Sequence, residues 1–237
     1  MQGEIKMLQI FFEDEQIIVV EKPVGIESQS SHSFEPDMVS EIKKHINKLS
    51  TAKCEPYVGV IHRLDKPVGG VMVYAKTQKA AAALSKQVSE GKMTKKYQAV
   101  ICGKLVDNVG NYVDYLLKDS KSNTSKIVDK GINGAKEAKL NYKVIRTIRE
   151  GEEVLSLVEI ELLTGRHHQI RVQMSGHGTP LWGDNKYNPQ FTPAAGAGRK
   201  RGSIALCSCY LAFSHPVTGR KMSFQMKPEY SAFAKFQ

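Results

Sequence analysis

One carboxylate in this 237-residue chain stands where chemistry is often placed. The segment Val60-Ile61-His62-Arg63-Leu64-Asp65-Lys66-Pro67-Val68-Gly69-Gly70-Val71 sets Asp65 between a cationic side chain and a Gly-Gly pair, with apolar runs on both sides. Tyr57 to Ile61 reads as the end of one strand and Val71 to Ala75 as a buried strand. Asp65 then sits on a short, stiff connector, because Pro67 fixes one φ angle and Gly69-Gly70 read as a turn. Charged side chains on loops held by a rigid sheet are a common seat of catalysis. The competing reading is a turn aspartate bonded to its own backbone, and an isolated D-K-P favours that reading. The rest of the chain must decide.

Two further groups have suggestive spacing. Arg166 to Met174 reads as a short helix, on which His167, His168 and Arg171 share a face through i to i+3 and i to i+4 steps. No carboxylate stands at H-E-x-x-H spacing, so a metal site is not expected. An imidazole pair beside an arginine instead suits a phosphate or a carboxylate. Two solvated histidines on a surface helix remain the alternative. Tyr97 follows Lys95 and Lys96 directly, a pattern that suits base stacking beside a phosphate. A tyrosine in an alternating strand is more often packing.

The surrounding elements must position these groups. Ile17 to Glu21 is a strand that stops at a Lys22-Pro23-Val24-Gly25 turn, and residues 27–35 read as a flexible polar loop. Pro36 and Asp37 suit the first turn of a helix with Met38, Val39, Ile42, Ile46 and Leu49 on one face. Thr77 caps a second helix that runs to Glu90 and closes at Gly91. Lys95 to Cys102 is a strand, and 119–136 a hairpin or mobile excursion. Ala138–Arg149 and Val154–Leu163 form an antiparallel pair joined at Glu150-Gly151. Residues 192–202 form a basic loop before a last strand, Ile204 to Phe213. Lys22-Pro23 and Asp184-Asn185 read as turn signals. Strands come in runs without steady βαβ alternation, which predicts an α+β fold with a mixed, largely antiparallel central sheet flanked by helices and loops, in one domain spanning 1–237.

Composition narrows the partners. Lys and Arg number 34 against 24 acidic residues, a net charge of +10, and nucleic acid is the first polyanion to consider. No apolar run approaches the roughly 20 residues of a membrane span, and the N-terminus lacks a secretory core, so a cytoplasmic protein is expected. The four cysteines, at 54, 102, 207 and 209, form no C-x-x-C pair and are expected to be free thiols.

Taken together, the motifs resemble the RluA family of pseudouridine synthases, nearly end to end. The match runs from Ile17-Ile18-Val19-Val20-Glu21-Lys22-Pro23-Val24-Gly25 to Phe213-Ser214-His215-Pro216. His62-Arg63-Leu64-Asp65 with Gly70 and Ala75-Lys76 resembles the catalytic motif. Lys96-Tyr97-Gln98-Ala99-Val100 with Gly103 is similar to the tyrosine motif. Thr164-Gly165-Arg166-His167-His168-Gln169-Ile170-Arg171-Val172, followed by Pro180 and Gly183-Asp184-Tyr187, is similar to the arginine motif. The resemblance implies that Asp65 is the catalytic aspartate, Tyr97 the ring stacked on the target base, and Arg171 the partner of the Asp65 carboxylate. It implies that Arg63 helps to displace the target nucleotide, and that His62, Lys95, Lys96, Arg166, His167 and His168 contact RNA. Thr179, Gln173 and Cys207 depart from the family pattern, which bears on substrate choice more than on activity. No segment before residue 10 has room for the small S4 domain of many relatives, so RNA contact is expected mostly from the catalytic domain.

The implied reaction breaks N1–C1′ of a uridine in structured rRNA or tRNA, turns the uracil, and joins C5 to C1′. It needs no redox partner or group donor, so no cofactor and no metal are expected. Asp65 must be ionised to attack C1′ or to remove a sugar proton, and a nearby Arg171 favours that form and orients it. Flipping the base out costs stacking, part of which the Tyr97 ring returns. A protein of this kind is expected to act as a monomer without an obligatory protein partner. Two other classes stay in view: an inactive RNA-binding protein that keeps the fold, and a metal-dependent nuclease using Asp65, His167 and His168.

Overall fold

A computed structural model describes residues 8–30, 36–49, 54–192 and 203–237. The expected basic loop 192–202 lies outside the described residues except for Thr192, as do residues 31–35 of the polar loop. The chain divides into two compact units, one of residues 1–94 with 210–226 and one of residues 95–209 with 227–237.

In the first unit the apolar run of β2 (Ile17–Lys22) lies between β1 (Ile10–Glu13) and β4 (Gly69–Ala75), antiparallel to both. Four consecutive β2 residues, Ile17 to Val20, are fully buried, so the strand is covered on both faces. Ile17 and Val19 pack with Val71 and Val73 of β4 against Ala80 and Leu84 of α2 (Gln78–Ser89). Ile18 and Val20 stand opposite Tyr74 and Met72 on the other face. The Thr77 side chain caps α2 by accepting from Ala80 N at 3.1 Å, a contact worth about 1 kcal/mol.

The first helix, α1 (Met38–Leu49), starts two residues later than the sequence suggests. Asp37 is its cap, with Oδ1 accepting from Ser40 N at 2.7 Å while Ser40 Oγ accepts from Asp37 N at 3.0 Å. Met38 and Ile42 face the core, but Leu49 is 72% exposed, so the predicted apolar face stops short of the last turn. The short β3 (Gly59–Val60) pairs with the end of β4, making residues 61–68 the connector of a hairpin. Gly69 and Gly70 are not a turn. They begin β4, where Gly70 pairs with Lys22 at a φ of 137°, which only glycine adopts easily. The C-terminal half of β10 (Leu206–Ser214) and β11 (Lys221–Gln225) complete this unit as an antiparallel pair.

The second unit is an antiparallel run in the order β5 (Thr94–Cys102), β9 (Glu153–Leu162), β8 (Lys136–Glu150), β6 (Val109–Asp119) and β7 (Thr124–Val128). The stretch 119–136 is a hairpin at its start, with β6 and β7 paired from Asp119↔Thr124 outward. On the sheet lies α3 (Gln169–Gly176), where Val172 meets Leu116 and Ala138. Strand pairings within each unit are antiparallel and helices are few, in agreement with the expected α+β class. Among the described residues no helix is long and apolar enough to cross a membrane.

Candidate active site

In the first unit Asp65 is half-buried on the β3–β4 connector, and its carbonyl accepts from Val68 N at 2.9 Å to close a turn around Pro67. Both neighbours are tied down. Ser28 Oγ accepts from Leu64 N at 3.0 Å and donates to Leu64 O at 2.9 Å. Gly25 N donates to Lys66 O at 2.8 Å, and Lys22 Nζ donates to the same carbonyl at 3.3 Å and to Pro23 O at 3.0 Å. A loop held on each side of its carboxylate meets the geometric demand of catalysis, since misplacement by an ångström costs rate.

Lys22 and Ser28 are the residues that sequence reasoning passed over. Lys22 reads as the lip of a turn, yet it is fully buried at the end of β2. Ser28 falls in the stretch read as flexible, yet it is 3% exposed, and its carbonyl accepts from Tyr74 Oη at 3.0 Å. The signal available for Lys22 was its place two residues after Val20, the last of four apolar strand residues, where strand alternation turns it to the same face as Val20.

Burial pulls the Lys22 ammonium down to about 7, against the opposing fields of Asp65 and Glu27. Its folded value lies below the ordinary 10.5, so between those values the unfolded chain holds the extra proton. Stability therefore rises with pH across that window and falls back as pH drops toward 7. Lys22→Met removes the titrating group at similar volume. Denaturant unfolding of wild type and variant from pH 7 to 10 is expected to shift in favour of wild type by up to about 1.4 kcal/mol per pH unit. A pH-independent difference would show that Lys22 keeps its proton when folded.

His62 lies against β4, its Nε2 accepting from Val73 N at 3.4 Å, while Arg63 is exposed beside Asp65 on the connector.

In the second unit Tyr97 is central in β5, paired with Ile160 of β9 and 6% exposed. Side chains alternate across a strand, so Lys95 shares the face of Tyr97 and Lys96 takes the other. Lys96 there pairs with Glu159 at 3.2 Å. Burial lowers the Lys95 ammonium below its ordinary value, and a Cβ on Gly165 would lie 3.7 Å from its Nζ.

The helix expected from Arg166 begins instead at Gln169. His168 takes the left-handed conformation, φ 55°, and stops the helix from extending backward. Gln169 fixes that entry: its Oε1 accepts from Arg166 N at 3.0 Å and from Thr164 Oγ1 at 2.8 Å. His167, His168 and Arg171 therefore do not form one helical face. His167 turns to the β6–β7 hairpin, with Nδ1 2.9 Å from Ser125 Oγ and Nε2 3.1 Å from Asn123 Oδ1. His168 Nδ1 lies 2.7 Å from Tyr187 Oη, and its ring stacks on that of His167 at 3.8 Å. Arg166 is exposed and its Nε donates to Glu137 O at 2.7 Å.

Arg171 is buried. Its Nε and Nη2 donate to Asp184 Oδ2 at 2.8 Å and Oδ1 at 2.7 Å, a two-point pairing with a fully buried carboxylate. The Arg171 guanidinium also lies 5.1 Å from the centre of the Tyr187 ring. Asp184, read from sequence as a turn residue, thus holds the arginine as well as its own turn, where Oδ1 accepts from Lys186 N at 2.9 Å. Its place in the quoted arginine motif was the signal that marked it out. Gly183 before it is obligatory, with a φ of 75° and Ser203 O only 2.6 Å from where a Cβ would sit.

The largely antiparallel α+β scaffold is that of the pseudouridine synthases. Solved structures share the fold. Human RNA pseudouridylate synthase domain containing 1 aligns at a TM-score of 0.74 and 20% identity, covering 98% of this chain and 88% of that one. Human RNA pseudouridylate synthase domain containing 4 aligns at 0.73 and 22% identity, covering 92% and 88%. Residues 16–176 match the family described as RNA pseudouridylate synthase. The ribosomal large subunit pseudouridine synthase D of Zymomonas mobilis is 32% identical over 224 residues, covering 92% of this chain and 68% of that protein. An uncharacterised RNA pseudouridine synthase of Bacillus subtilis, YlyB, is also 32% identical, over 219 residues and with the same coverage. The chain belongs to the RNA pseudouridylate synthase family, in its RluA branch, and is an isomerase of uridine in RNA.

Proposed function

We propose that residues 1–237 work as one catalytic domain in which Asp65, Tyr97 and Arg171 serve a single flipped uridine. Asp65 supplies the anionic oxygen, either as nucleophile toward C1′ or as base toward a sugar proton. Tyr97 offers its ring to the displaced base, and Arg171 is the cation partner of Asp65. The observation that supports this reading best is the clamped connector: Leu64 and Lys66, flanking Asp65, are each bonded to the loop after β2. Effort spent on holding a single carboxylate is what a catalytic group requires.

RNA contact is assigned to His62 and Arg63 on the connector, Lys95 and Lys96 on β5, and Arg166, His167 and His168 before α3. Lys95, on the face of Tyr97, is the stronger of the two lysines. Lys96 must leave Glu159 to reach a phosphate, and His167 must leave the hairpin. The Zymomonas mobilis relative is named for the large ribosomal subunit, which makes rRNA the first substrate to test, with tRNA beside it. The enzyme acts in the cytoplasm, as a monomer, and without an obligatory protein partner.

The Tyr97 variants test the site. Tyr97→Phe keeps the stacking surface and loses the hydroxyl, whereas Tyr97→Leu loses both. RNA affinity is expected to survive in Phe and to fall in Leu by the roughly 1–3 kcal/mol of one stacked base. Full binding with no turnover in Phe would assign the hydroxyl to proton transfer. Wild-type turnover in both variants would return Tyr97 to ordinary packing and remove it from the site.

A further inference from the structure

A bulge in β8 turns two cations onto one face of the sheet. Lys143 stands opposite Glu159 of β9 and Arg146 opposite Leu157, so Ile145 is the extra residue of the bulge. Simple alternation would send residues 143 and 146 to opposite faces, and the bulge returns them to the same one. Tyr97 and Tyr142 both align with Ile160 on the other face. The two cations therefore lie on the back of the sheet that carries Tyr97.

A third cation is held beside them. The β5–β6 connector leaves β5 at Gly103, whose N donates to Val154 O at 2.7 Å and whose carbonyl accepts from the buried Ser156 Oγ at 2.8 Å. Ser156 Oγ lies 3.0 Å from Thr147 Oγ1 of β8. At the far end of the connector Asn108 O accepts from Val144 N at 2.7 Å, and Leu105 between the two ends is buried. Lys104 thus starts from a fixed backbone. With Lys143 and Arg146 it lines a concavity of about 500 Å³, within the roughly 300–1,000 Å³ of ligand sites. Among the described residues its lining holds these three positive charges and no carboxylate. Glu159, across the ladder from Lys143, is engaged by Lys96 at 3.2 Å. Asp107 of the connector is exposed and stands outside the lining. Val109, opposite Lys143, and Ile145 also line the concavity and are 66% and 47% exposed.

We propose that this concavity is a second RNA site, which seats the sugar–phosphate backbone of RNA outside the stem that holds the target uridine. The proposal rests on the reading of the chain as an isomerase of uridine in RNA. Cations on a fixed backbone neutralise phosphates without reading sequence. The two exposed aliphatic side chains give the sugar between phosphates an apolar seat. A short stem-loop bound at Tyr97 does not reach the back of the sheet, whereas a long RNA can pass around its edge. Joining the two contacts through one RNA makes the second binding event intramolecular, so affinity rises without any change at the catalytic site.

Two protein-free RNAs test it: a long rRNA fragment that the wild type converts, and the shortest stem-loop around the same uridine that it still converts. Lys143→Ala/Arg146→Ala removes two exposed charges and no buried contact. On the long fragment it is expected to raise KM roughly tenfold, hold kcat within about twofold, and flatten the slope of log affinity on log salt by about 1.5. On the stem-loop both KM and kcat are expected to stay within about twofold of wild type. Hydrogen–deuterium exchange of the wild type gives an independent reading. The long fragment is expected to protect amides of residues 104–109 and 143–147, and the stem-loop to leave them unchanged. Unchanged KM and salt slope on the long fragment overturn the second site. An equal rise in KM on both RNAs overturns it too, because that reports only the loss of net charge. An effect seen with ribosomal particles but not with protein-free RNA assigns the surface to a protein and likewise overturns it. Conversion of the stem-loop by the wild type reports separately on the isomerase. If neither RNA is converted, the reading of the catalytic site fails and the second site with it.

Discussion

Asp65→Asn is expected to fold, to bind RNA like the wild type, and to form no detectable pseudouridine. The substitution is nearly isosteric, and backbone groups of Leu64, Asp65 and Lys66 make hydrogen bonds that hold the connector. The clamp should therefore survive. What is lost is the anionic oxygen, and an amide neither attacks C1′ nor accepts a sugar proton. Removal of such a group costs at least about 10²–10⁴-fold in rate, and more where it is the nucleophile. Single-turnover assays with excess enzyme, alongside RNA binding by anisotropy, separate the chemical step from affinity. Substantial product from the purified variant would remove Asp65 from the centre of the mechanism.

Arg171→Ala is expected to damage stability as well as activity. Asp184 is fully buried, and without the guanidinium its charge has lost a two-point partner. Breaking one side of such a pair costs about 3–5 kcal/mol, much of it the penalty of the charge left behind. Arg171→Lys keeps the charge but not the planar fork, so an intermediate loss is expected. Arg171→Met/Asp184→Leu removes both charges at comparable volume and should recover much of the stability, because an apolar replacement of a buried pair is often neutral or better. Activity should not return in that double variant, since Arg171 is proposed to serve Asp65 as well. Denaturant unfolding of the three variants checks the first claim and single-turnover kinetics the second. Equal stability of Arg171→Ala and wild type would show that water or rearrangement compensates Asp184.

The parts of the site legible in the sequence are those whose signal is local. Asp65 stands out because a proline, a Gly-Gly pair and two apolar runs lie within a dozen residues of it, and Tyr97 because its strand alternates. Resemblance then joined motifs that spacing alone could not. The errors fall where a tertiary contact decides. Gly69-Gly70 have turn composition, but pairing with β2 draws them into β4. The periodicity from Arg166 onward suits a helix, yet a left-handed His168 and the back-reaching Gln169 side chain delay its start. Lys22 and Asp184 look like surface turn residues because the turn composition of Lys22-Pro23 and Asp184-Asn185 outweighs the fainter signals of strand alternation and motif; the fold supplies Lys66 O to one and Arg171 to the other. The strand β6 drew no reading at all, being alternately exposed and half-buried over most of its length, and its partners β7 and β8 hold it. Charge pattern did indicate nucleic acid, but not where on the molecule the charge would gather.

The most direct measurement is a map of pseudouridines in total RNA from cells with and without this protein, followed by addition of the purified enzyme to the RNA that lacks it. Site-specific loss in the deleted cells is predicted, most readily in rRNA, with the same uridines restored in vitro by the wild type and not by Asp65→Asn. Identical maps, together with no conversion of either rRNA or tRNA by the purified wild type, would contradict it.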